Sequence, residues 1–393
     1  MTHPFFAAPL RRTLLATAIW LLILTGVGRP LGAHLLQAAQ PAGAGALYKA
    51  EPGPWSVQVI DEEWRDDTRQ RAVPVRIYLP QAPAAGQSAD PAAAAPAKFP
   101  VIVFSHGWGA SRYVYGYICK HLASHGYLVV APTHLGSDTG SISFGGLGDN
   151  AKDGQPAAHD ATGEKREGLA QSIQDPENLR NRPRDVSFVL DQVGHSATLG
   201  PVADLERVGV AGHSFGAYTA MAEGGMTVDL PEGQGQSLRD GRVKAVLPMS
   251  PEGRGMMGIG PGAWDKFVAP VLFLTGTKDY GSGARWAQWR RQGFDSIHSV
   301  DAYLVTIEGA THFTFAFPAG GGMGLLQGGA GPVAPGPAAG ASVSTEKLID
   351  ALAVAFFDAR LRGDARAAAW LAAYCGAQHA EATAQFKPAA AAK

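Results

Sequence analysis

A serine between two glycines is the residue of this sequence most clearly marked for chemistry. Ser214 lies in a G-x-S-x-G motif at residues 212 to 216, after a β-branched run at residues 208 to 210 and before small apolar residues that suit the start of a helix. A strand, a tight turn and a helix around this motif form a nucleophile elbow, which exposes the serine hydroxyl at the helix N-terminus. The sequence therefore predicts that Ser214 is the nucleophile of an acyl transfer.

Two further residues follow in the order that such a nucleophile needs. A serine hydroxyl attacks only when a base takes its proton, and the base needs a third group to orient it. In elbow folds the acid and the histidine follow the serine on loops after later strands. Asp279 follows an apolar run at residues 270–275, and His312 follows another at residues 302–307. We expect Ser214, Asp279 and His312 to converge at the carboxyl ends of the strands.

The negatively charged oxygen of an acyl-transfer intermediate needs two N–H donors aimed at it. The backbone N–H of Phe215, directly after the nucleophile, is one candidate. The other is the N–H of Trp108, which lies between Gly107 and Gly109 in the loop after the strand at residues 100–104. This loop supplies the second donor in elbow folds generally.

Other side chains near these positions are candidates for the substrate cleft. His106, Phe313 and Phe315 are predicted to line it, and their aromatic rings would favour apolar esters over charged substrates. The alternative is that the phenylalanines pack in the core and that His106, like His213, only braces its loop.

Periodicity along the chain predicts the elements that position these residues. Alternating apolar residues at 55–60 and 72–79 indicate antiparallel edge strands, whereas continuous apolar runs indicate parallel strands buried on both faces. The predicted parallel strands are residues 100–104, 127–131, 208–210, 243–249, 270–275 and 302–307. The predicted helices are residues 113–125, 176–195, 345–362 and 365–374. Strands alternating with helices predict an α/β fold with a mostly parallel central sheet and helices on both faces.

Three stretches lack periodicity and are predicted to be surface insertions, at residues 81–98, 132–175 and 316–341. Since there is no internal repeat and no second core, we predict one domain at residues 45–378, followed by an Ala-rich tail at residues 379–393.

The N-terminal stretch is predicted to be a signal peptide within residues 1–44. Arg11 and Arg12 precede an uncharged apolar run at residues 13–28, and small residues near Ala44, or earlier near Ala33, offer cleavage sites. The arginine pair also permits twin-arginine export, and an uncleaved anchor is the alternative. The sequence thus predicts an exported catalytic domain with no stable membrane span after cleavage.

Composition limits the possible partners and cofactors. With 393 residues and a formal net charge of −1, the chain has no electrostatic footprint for nucleic acid. Its two cysteines, Cys119 and Cys375, are able to pair in an exported protein or to remain buried thiols. They form no C-x-x-C pair, so the sequence predicts no zinc site.

The chain resembles the α/β-hydrolase superfamily, and within it the branch of proteins similar to platelet-activating factor acetylhydrolase and to predicted dienelactone hydrolases. The segments that carry the resemblance are residues 103–109, 122–126, 182–189, 212–216 and 356–359. The resemblance implies an α/β-hydrolase fold and hydrolysis of small or lipid-like carboxylic esters without a cofactor.

The chain departs from these relatives at two points. True dienelactone hydrolases use a cysteine nucleophile, whereas this elbow carries Ser214. The acetylhydrolases take their acid from the strand before the one that leads to Asp279, where this chain has Ser250 and Glu252. Asp279 is therefore the predicted acid and Glu252 the alternative.

The sequence as a whole predicts an exported serine hydrolase that cleaves carboxylic esters through an acyl-enzyme. A polyester- or lipid-active hydrolase is an alternative within the same chemistry, because the sequence does not define how open the cleft is. An alternative of another class is a catalytically silent binding protein with a hydrolase fold, although such a protein is expected to have lost part of the triad. The natural substrate and the oligomeric state stay open at this point.

Overall fold

The computed structural model describes residues 46–81, 98–138, 172–281, 287–317 and 344–390. The predicted signal peptide and most of the three predicted insertions lie outside these residues.

The strands are β1 (Ser56–Asp66), β2 (Arg71–Gln81), β3 (Phe99–Ser105), β4 (Leu128–Pro132), β5 (Ala203–His213), β6 (Thr227–Leu230), β7 (Gly233–Ser237), β8 (Val243–Met249), β9 (Val271–Lys278), β10 (Ala302–Thr311) and β11 (Ala382–Lys387). The helices are α1 (Gly116–Ser124), α2 (Pro176–His195), α3 (Phe215–Glu223), α4 (Gln292–Ser296), α5 (Thr345–Leu361) and α6 (Ala365–Gly376). Short 3-10 turns lie at Ala287–Arg291 and His312–Phe315.

The central sheet has the strand order β1-β2-β4-β3-β5-β8-β9-β10-β11. Within this order, the strands β4, β3, β5, β8, β9 and β10 run parallel to one another. The pairs β1–β2, β2–β4 and β10–β11 are antiparallel, and β6 and β7 form a separate antiparallel pair. The elbow strand β5 lies in the middle, so both flanking strands contribute loops to the same edge. The carboxyl ends of parallel strands meet at that edge, which is where open α/β sheets bind ligands.

Both faces of the sheet are covered by helices. Along β3, Val101 and Val103 face one apolar cluster and Ile102 faces the other, because successive side chains of a strand point to opposite faces. The first cluster includes residues of α2 and α3, and the second includes residues of α1 and α5. This confirms the predicted α/β-hydrolase fold with a mostly parallel sheet and helices on both faces.

Two sequence predictions differ from the structure. The predicted Ala-rich tail contains β11, in which Ala382 pairs with Ile307 of β10 and Lys387 pairs with Ala302. The pairing partner is far away in sequence, and the weakly apolar segment gives little local signal for a strand. In addition, β2 is not an edge strand, because it lies between β1 and β4.

The structure also gives the state of the two cysteines and the length and polarity of the helices. Cys119 in α1 and Cys375 in α6 are both free thiols, Cys119 being buried. Over the residues described, every helix is too short or too polar to cross a bilayer.

Candidate active site

The elbow holds Ser214 in a strained backbone conformation between β5 and α3. Ser214 has φ 55° and ψ −116°, a region that residues other than glycine rarely adopt. The flanking glycines are needed because a Cβ at Gly212 would lie 2.3 Å from the carbonyl oxygen of Gly216, and one at Gly216 would lie 1.9 Å from that of Ser105. The Ser214 N–H donates to the carbonyl of Met249 at 2.9 Å, which fixes the turn against β8.

The three predicted catalytic side chains meet at the carboxyl edge of the sheet. Nε2 of His312 lies 3.0 Å from Oγ of Ser214, and Nδ1 of His312 lies 3.2 Å from Oδ1 of Asp279. The His312 side chain is 24% exposed, whereas that of Asp279 is fully buried. The arrangement can pass a proton from the serine to the imidazole, with the carboxylate on the far side of the ring.

Asp279 is held as a carboxylate by its neighbours. Nε of Arg290 lies 2.6 Å from Oδ1 of Asp279, and the Thr275 hydroxyl donates to Oδ2 at 2.9 Å. Burial alone would raise the pKa of Asp279, but the hydrogen bond from His312 and the charge of Arg290 outweigh it and lower the pKa below its ordinary value. The group is therefore ionised at neutral pH.

Arg290 and Ser250 belong to this site although the sequence did not mark them as functional. Oγ of Ser250 lies 2.6 Å from Nδ1 of His312, closer than the carboxylate does. The buried Arg290 guanidinium donates to the carbonyls of Ser250 and Pro251 at 3.0 Å each and to the carbonyl of Asp279 at 3.0 Å. It thus ties the loop after β8 to the loop after β9. No local motif marks such an arginine; only the position of Ser250, where relatives carry their acid, gave a signal.

Glu252, the alternative acid, does not reach the histidine. Its Oε1 lies 3.5 Å from Nη1 of Arg290, and its Oε2 is buried without a hydrogen-bond partner within the described part of the chain. Over the same residues, no hydrogen bond joins Glu252 to His312, and the carboxylate beside the imidazole is that of Asp279.

The loop that carries Trp108 is fixed through the residues on either side of it. The Gly107 N–H donates to the Tyr115 hydroxyl at 3.2 Å, and the Gly109 N–H donates to the carbonyl of Ser137 at 2.9 Å. Because these bonds hold both glycines, the backbone around Trp108 has a defined orientation. The indole Nε1 of Trp108 donates to the hydroxyl of Ser172 at 2.8 Å.

His213, the second residue of the G-x-S-x-G motif, joins this loop to the loop of His312. The Tyr115 hydroxyl lies 2.8 Å from Nδ1 of His213, and Nε2 of His213 lies 2.7 Å from the carbonyl oxygen of His312. Since a carbonyl only accepts, Nε2 carries the proton and Nδ1 accepts from the hydroxyl. Burial, together with the neighbouring His312, lowers the pKa of His213 well below its ordinary value, so the ring is neutral.

The predicted cleft residues differ in how deeply they are buried. Phe313 is half-buried, with its ring edge-on to that of His312 at 5.5 Å between centroids. Phe315 is fully buried and stacks on His213, so its predicted cleft role is wrong. His106 is also buried, and both ring nitrogens are used: Nδ1 donates to the carbonyl of Gly107 at 2.6 Å, and Nε2 accepts from the His134 N–H at 2.9 Å. Its predicted cleft role is wrong for that reason.

Comparison with known proteins identifies relatives named platelet-activating factor acetylhydrolase. The family described as platelet-activating factor acetylhydrolase, isoform II, matches residues 83–145. The platelet-activating factor acetylhydrolase of Cavia porcellus is 24% identical over 238 residues, which are 56% of this chain and 48% of the relative. That of Canis lupus familiaris is 32% identical over 149 residues, 32% of this chain and 31% of the relative. The chain therefore spans about half the length, or less, of these curated relatives.

Proposed function

Since the chain resembles platelet-activating factor acetylhydrolases of the α/β-hydrolase superfamily, we propose that it is a serine hydrolase that cleaves small or lipid-like carboxylic esters through an acyl-enzyme. The observation that carries the proposal is the path of hydrogen bonds from Asp279 through His312 to Ser214, whose backbone is strained at the elbow.

The proposed reaction assigns one step to each side chain. His312 Nε2 takes the proton of Ser214 as Oγ attacks the ester carbonyl, and Asp279 stabilises the imidazolium that forms. The backbone N–H groups of Trp108 and Phe215 hold the oxyanion of the tetrahedral intermediate. His312 then donates its proton to the leaving alcohol, and a water molecule activated by the same imidazole releases the acid.

Ser250 and Arg290 support the orientation of the base in this proposal. Nδ1 of His312 must carry a proton for Asp279 to accept, and the Ser250 hydroxyl lies near enough to accept from the same N–H. Arg290 fixes the carboxylate through its 2.6 Å contact, and its Nη2, which only donates, lies 2.9 Å from Nδ1 of His312. The imidazole is thereby oriented with Nε2 towards the nucleophile.

Two aromatic side chains support the proposed class of ester. Trp108 and Phe313 are half-buried aromatic residues close to the proposed oxyanion donors and the base. They favour an uncharged acyl group, because aromatic surface gains most from burying apolar area. Export is part of the proposal and depends on the arginine pair and apolar run within residues 11–28.

The proposal is tested by hydrolysis of p-nitrophenyl esters from acetyl to palmitoyl with wild type, Ser214→Ala and a matched control, Ser237→Ala, which changes an exposed serine in β7. We expect Ser214→Ala to lose nearly all activity and fluorophosphonate labelling, and the control to keep both. Hydrolysis that survives in Ser214→Ala, or an unlabelled and inactive wild type, would refute the proposal.

A further inference from the structure

A second serine, histidine and aspartate are hydrogen-bonded in the same order elsewhere in the fold. Oγ of Ser105 lies 2.9 Å from Nε2 of His134, and Nδ1 of His134 lies 3.0 Å from Oδ2 of Asp185. All three side chains are fully buried. No substrate can reach them, so this chain of hydrogen bonds needs another explanation.

The protons in this buried chain have a single arrangement. Asp185 accepts from Nη1 of Arg69 at 2.8 Å and from Nε of Arg71 at 2.9 Å. Burial raises the pKa of Asp185, but the hydrogen bond from His134 and the neighbouring Arg71 outweigh burial and lower the pKa to about 2. Burial, together with the charge of Arg182, lowers the pKa of His134 to about 4. His134 is therefore neutral, donating from Nδ1 to the carboxylate and accepting at Nε2 from Ser105.

The buried chain of hydrogen bonds ends at the loop that carries Trp108. Ser105 is the last residue of β3, and the His134 N–H donates to Nε2 of His106, the next residue along. A Cβ on Gly216 would strike the carbonyls of both Ser105 and His106. The residues held by the buried chain therefore contact the first turn of α3 directly.

Arg182 of α2 contacts both elements that carry the proposed oxyanion donors. Nη1 donates to the carbonyl of His106 at 2.8 Å, and Nε donates to the hydroxyl of Ser137 at 2.9 Å. Ser137 in turn accepts from the Gly109 N–H through its carbonyl. The guanidinium carbon lies 4.2 Å from the ring centroid of Phe215. One buried side chain thus contacts the loop before Trp108 and the residue after the nucleophile, and it is linked to the loop after Trp108 through Ser137.

The charge of Arg182 is not cancelled by a contacting carboxylate. Within the described part of the chain, no Asp or Glu oxygen lies within ion-pair distance of it, although Asp185 is near enough to favour its charged form. Its oxygen acceptors are carbonyl and hydroxyl groups, and Nη2 lies 3.2 Å from Nδ1 of His106. A buried cation with neutral acceptors is unfavourable for stability. The same charge favours negative charge that develops nearby, because a buried, fixed charge is only weakly screened.

We propose that Arg182 and the buried chain Ser105–His134–Asp185 position the oxyanion donors, by fixing the loop of residues 106–109 against α3 and by placing a positive charge behind the developing oxyanion. The inference rests on the proposed function. It predicts an effect on the tetrahedral intermediate and not on binding of the ground-state ester.

The test uses Arg182→Met, which removes the charge, Arg182→Lys, which keeps it, and Ser105→Ala, which removes one hydroxyl. A matched control, Ser124→Ala, removes a buried hydroxyl in α1 that bonds Gly53 and the carbonyl of His121. The measurements are kcat and KM for p-nitrophenyl acetate, and the inhibition constant of an alkyl trifluoromethyl ketone, whose serine adduct carries an oxyanion.

We expect Arg182→Met to lower kcat about 30-fold or more with KM nearly unchanged, and to raise the ketone inhibition constant by a similar factor. Arg182→Lys and Ser105→Ala should show smaller losses of the same pattern, and Ser124→Ala should show none. If Arg182→Met does not fold, kcat, KM and the ketone inhibition constant are compared between wild type and the variants Ser105→Ala and Arg182→Lys.

Folded variants whose kcat and ketone affinity both stay within twofold of wild type would overturn the inference, even if their thermal stability falls. A loss of kcat without a loss of ketone affinity would overturn it as well. Neither result touches the proposed function, which is decided separately by Ser214→Ala.

Discussion

Replacing Gly216 with alanine is expected to remove most of the activity because the added methyl group has no room. An ideal Cβ at Gly216 lies 1.9 Å from the carbonyl oxygen of Ser105 and 2.9 Å from that of His106, whereas ordinary van der Waals contact begins at 3.4 Å. These neighbours are backbone atoms of β3 and of the loop that follows it. They cannot rotate away as the end of a flexible side chain would.

The size of the effect follows from the movement that the clash requires. Relieving the contact with Ser105 needs a backbone shift of about 1.5 Å, and a misplacement of about 1 Å in a catalytic site lowers rates by about 10²-fold. The shift separates the elbow from the loop of Trp108, whichever of the two moves. We therefore expect kcat to fall about 10²-fold or more, with a loss of about 1–3 kcal/mol in the free energy of unfolding from overpacking.

The assay is steady-state hydrolysis of p-nitrophenyl acetate, with urea unfolding measured on the same preparation. Gly376→Ala is the matched control, because a Cβ at this position of α6 meets nothing within 4 Å. The control should keep wild-type kcat. A folded Gly216→Ala variant with kcat within threefold of wild type would show that the elbow and the loop do not need their present spacing.

Three other perturbations test the site and its surroundings. Asp279→Asn should lower kcat about 10³-fold or more, by analogy with the loss of a triad aspartate, whereas Glu252→Gln should leave it within threefold; equal losses would mean that the acid is misassigned. Burial raises the pKa of Asp350 to about 8, so between about pH 4 and 8 the folded state binds a proton that the unfolded state lacks, and this group's contribution to stability falls as pH rises. Asp350→Asn should therefore increase the free energy of unfolding at pH 8 by on the order of 2–4 kcal/mol in urea titrations. An unchanged free energy of unfolding would contradict the claim that burial raises the pKa of this carboxyl group. The pKa of His134 is about 4, below its unfolded value of about 6.5. Its contribution to the free energy of unfolding is therefore present above pH 6.5 and is lost as pH falls from 6.5 to 4, by about 1.4 kcal/mol per pH unit. His134→Gln in the Asp350→Asn background should flatten this dependence of stability on pH, and an unaltered dependence would refute the assignment of His134 as a buried neutral imidazole.

The elements nearest the nucleophile were predictable from sequence because their signals are local. The continuous apolar runs gave β8 with its observed bounds and placed β9 and β10 to within a few residues. The same runs placed Asp279 and His312 at strand ends, and parallel strands bring such ends together. Ser214 was marked by glycines whose absence of a Cβ the turn requires.

The remaining parts of the site depend on contacts that no local pattern encodes. Arg290 follows no motif, and its role becomes visible only when its guanidinium meets carbonyls from two separate loops. Arg182 lies on a helix whose apolar spacing was clear, but its buried acceptors come from distant segments. Phe315 was misplaced because an aromatic residue near a catalytic histidine suits a cleft and a core equally well in sequence.

The two serine–histidine–aspartate sets allow a direct test of structure searches that compare only atoms and distances. A template built only from bonded nitrogens and oxygens would return both, because the serine-to-imidazole distances are 3.0 and 2.9 Å and the imidazole-to-carboxylate distances are 3.2 and 3.0 Å. What separates them is access and backbone geometry: the His312 side chain is 24% exposed and that of His134 is fully buried. Ser214, unlike Ser105, has a positive φ. Automated recognition of hydrolases therefore gains specificity from solvent access and nucleophile strain as search criteria, and this fold holds both the proposed site and a buried set with the same hydrogen bonds.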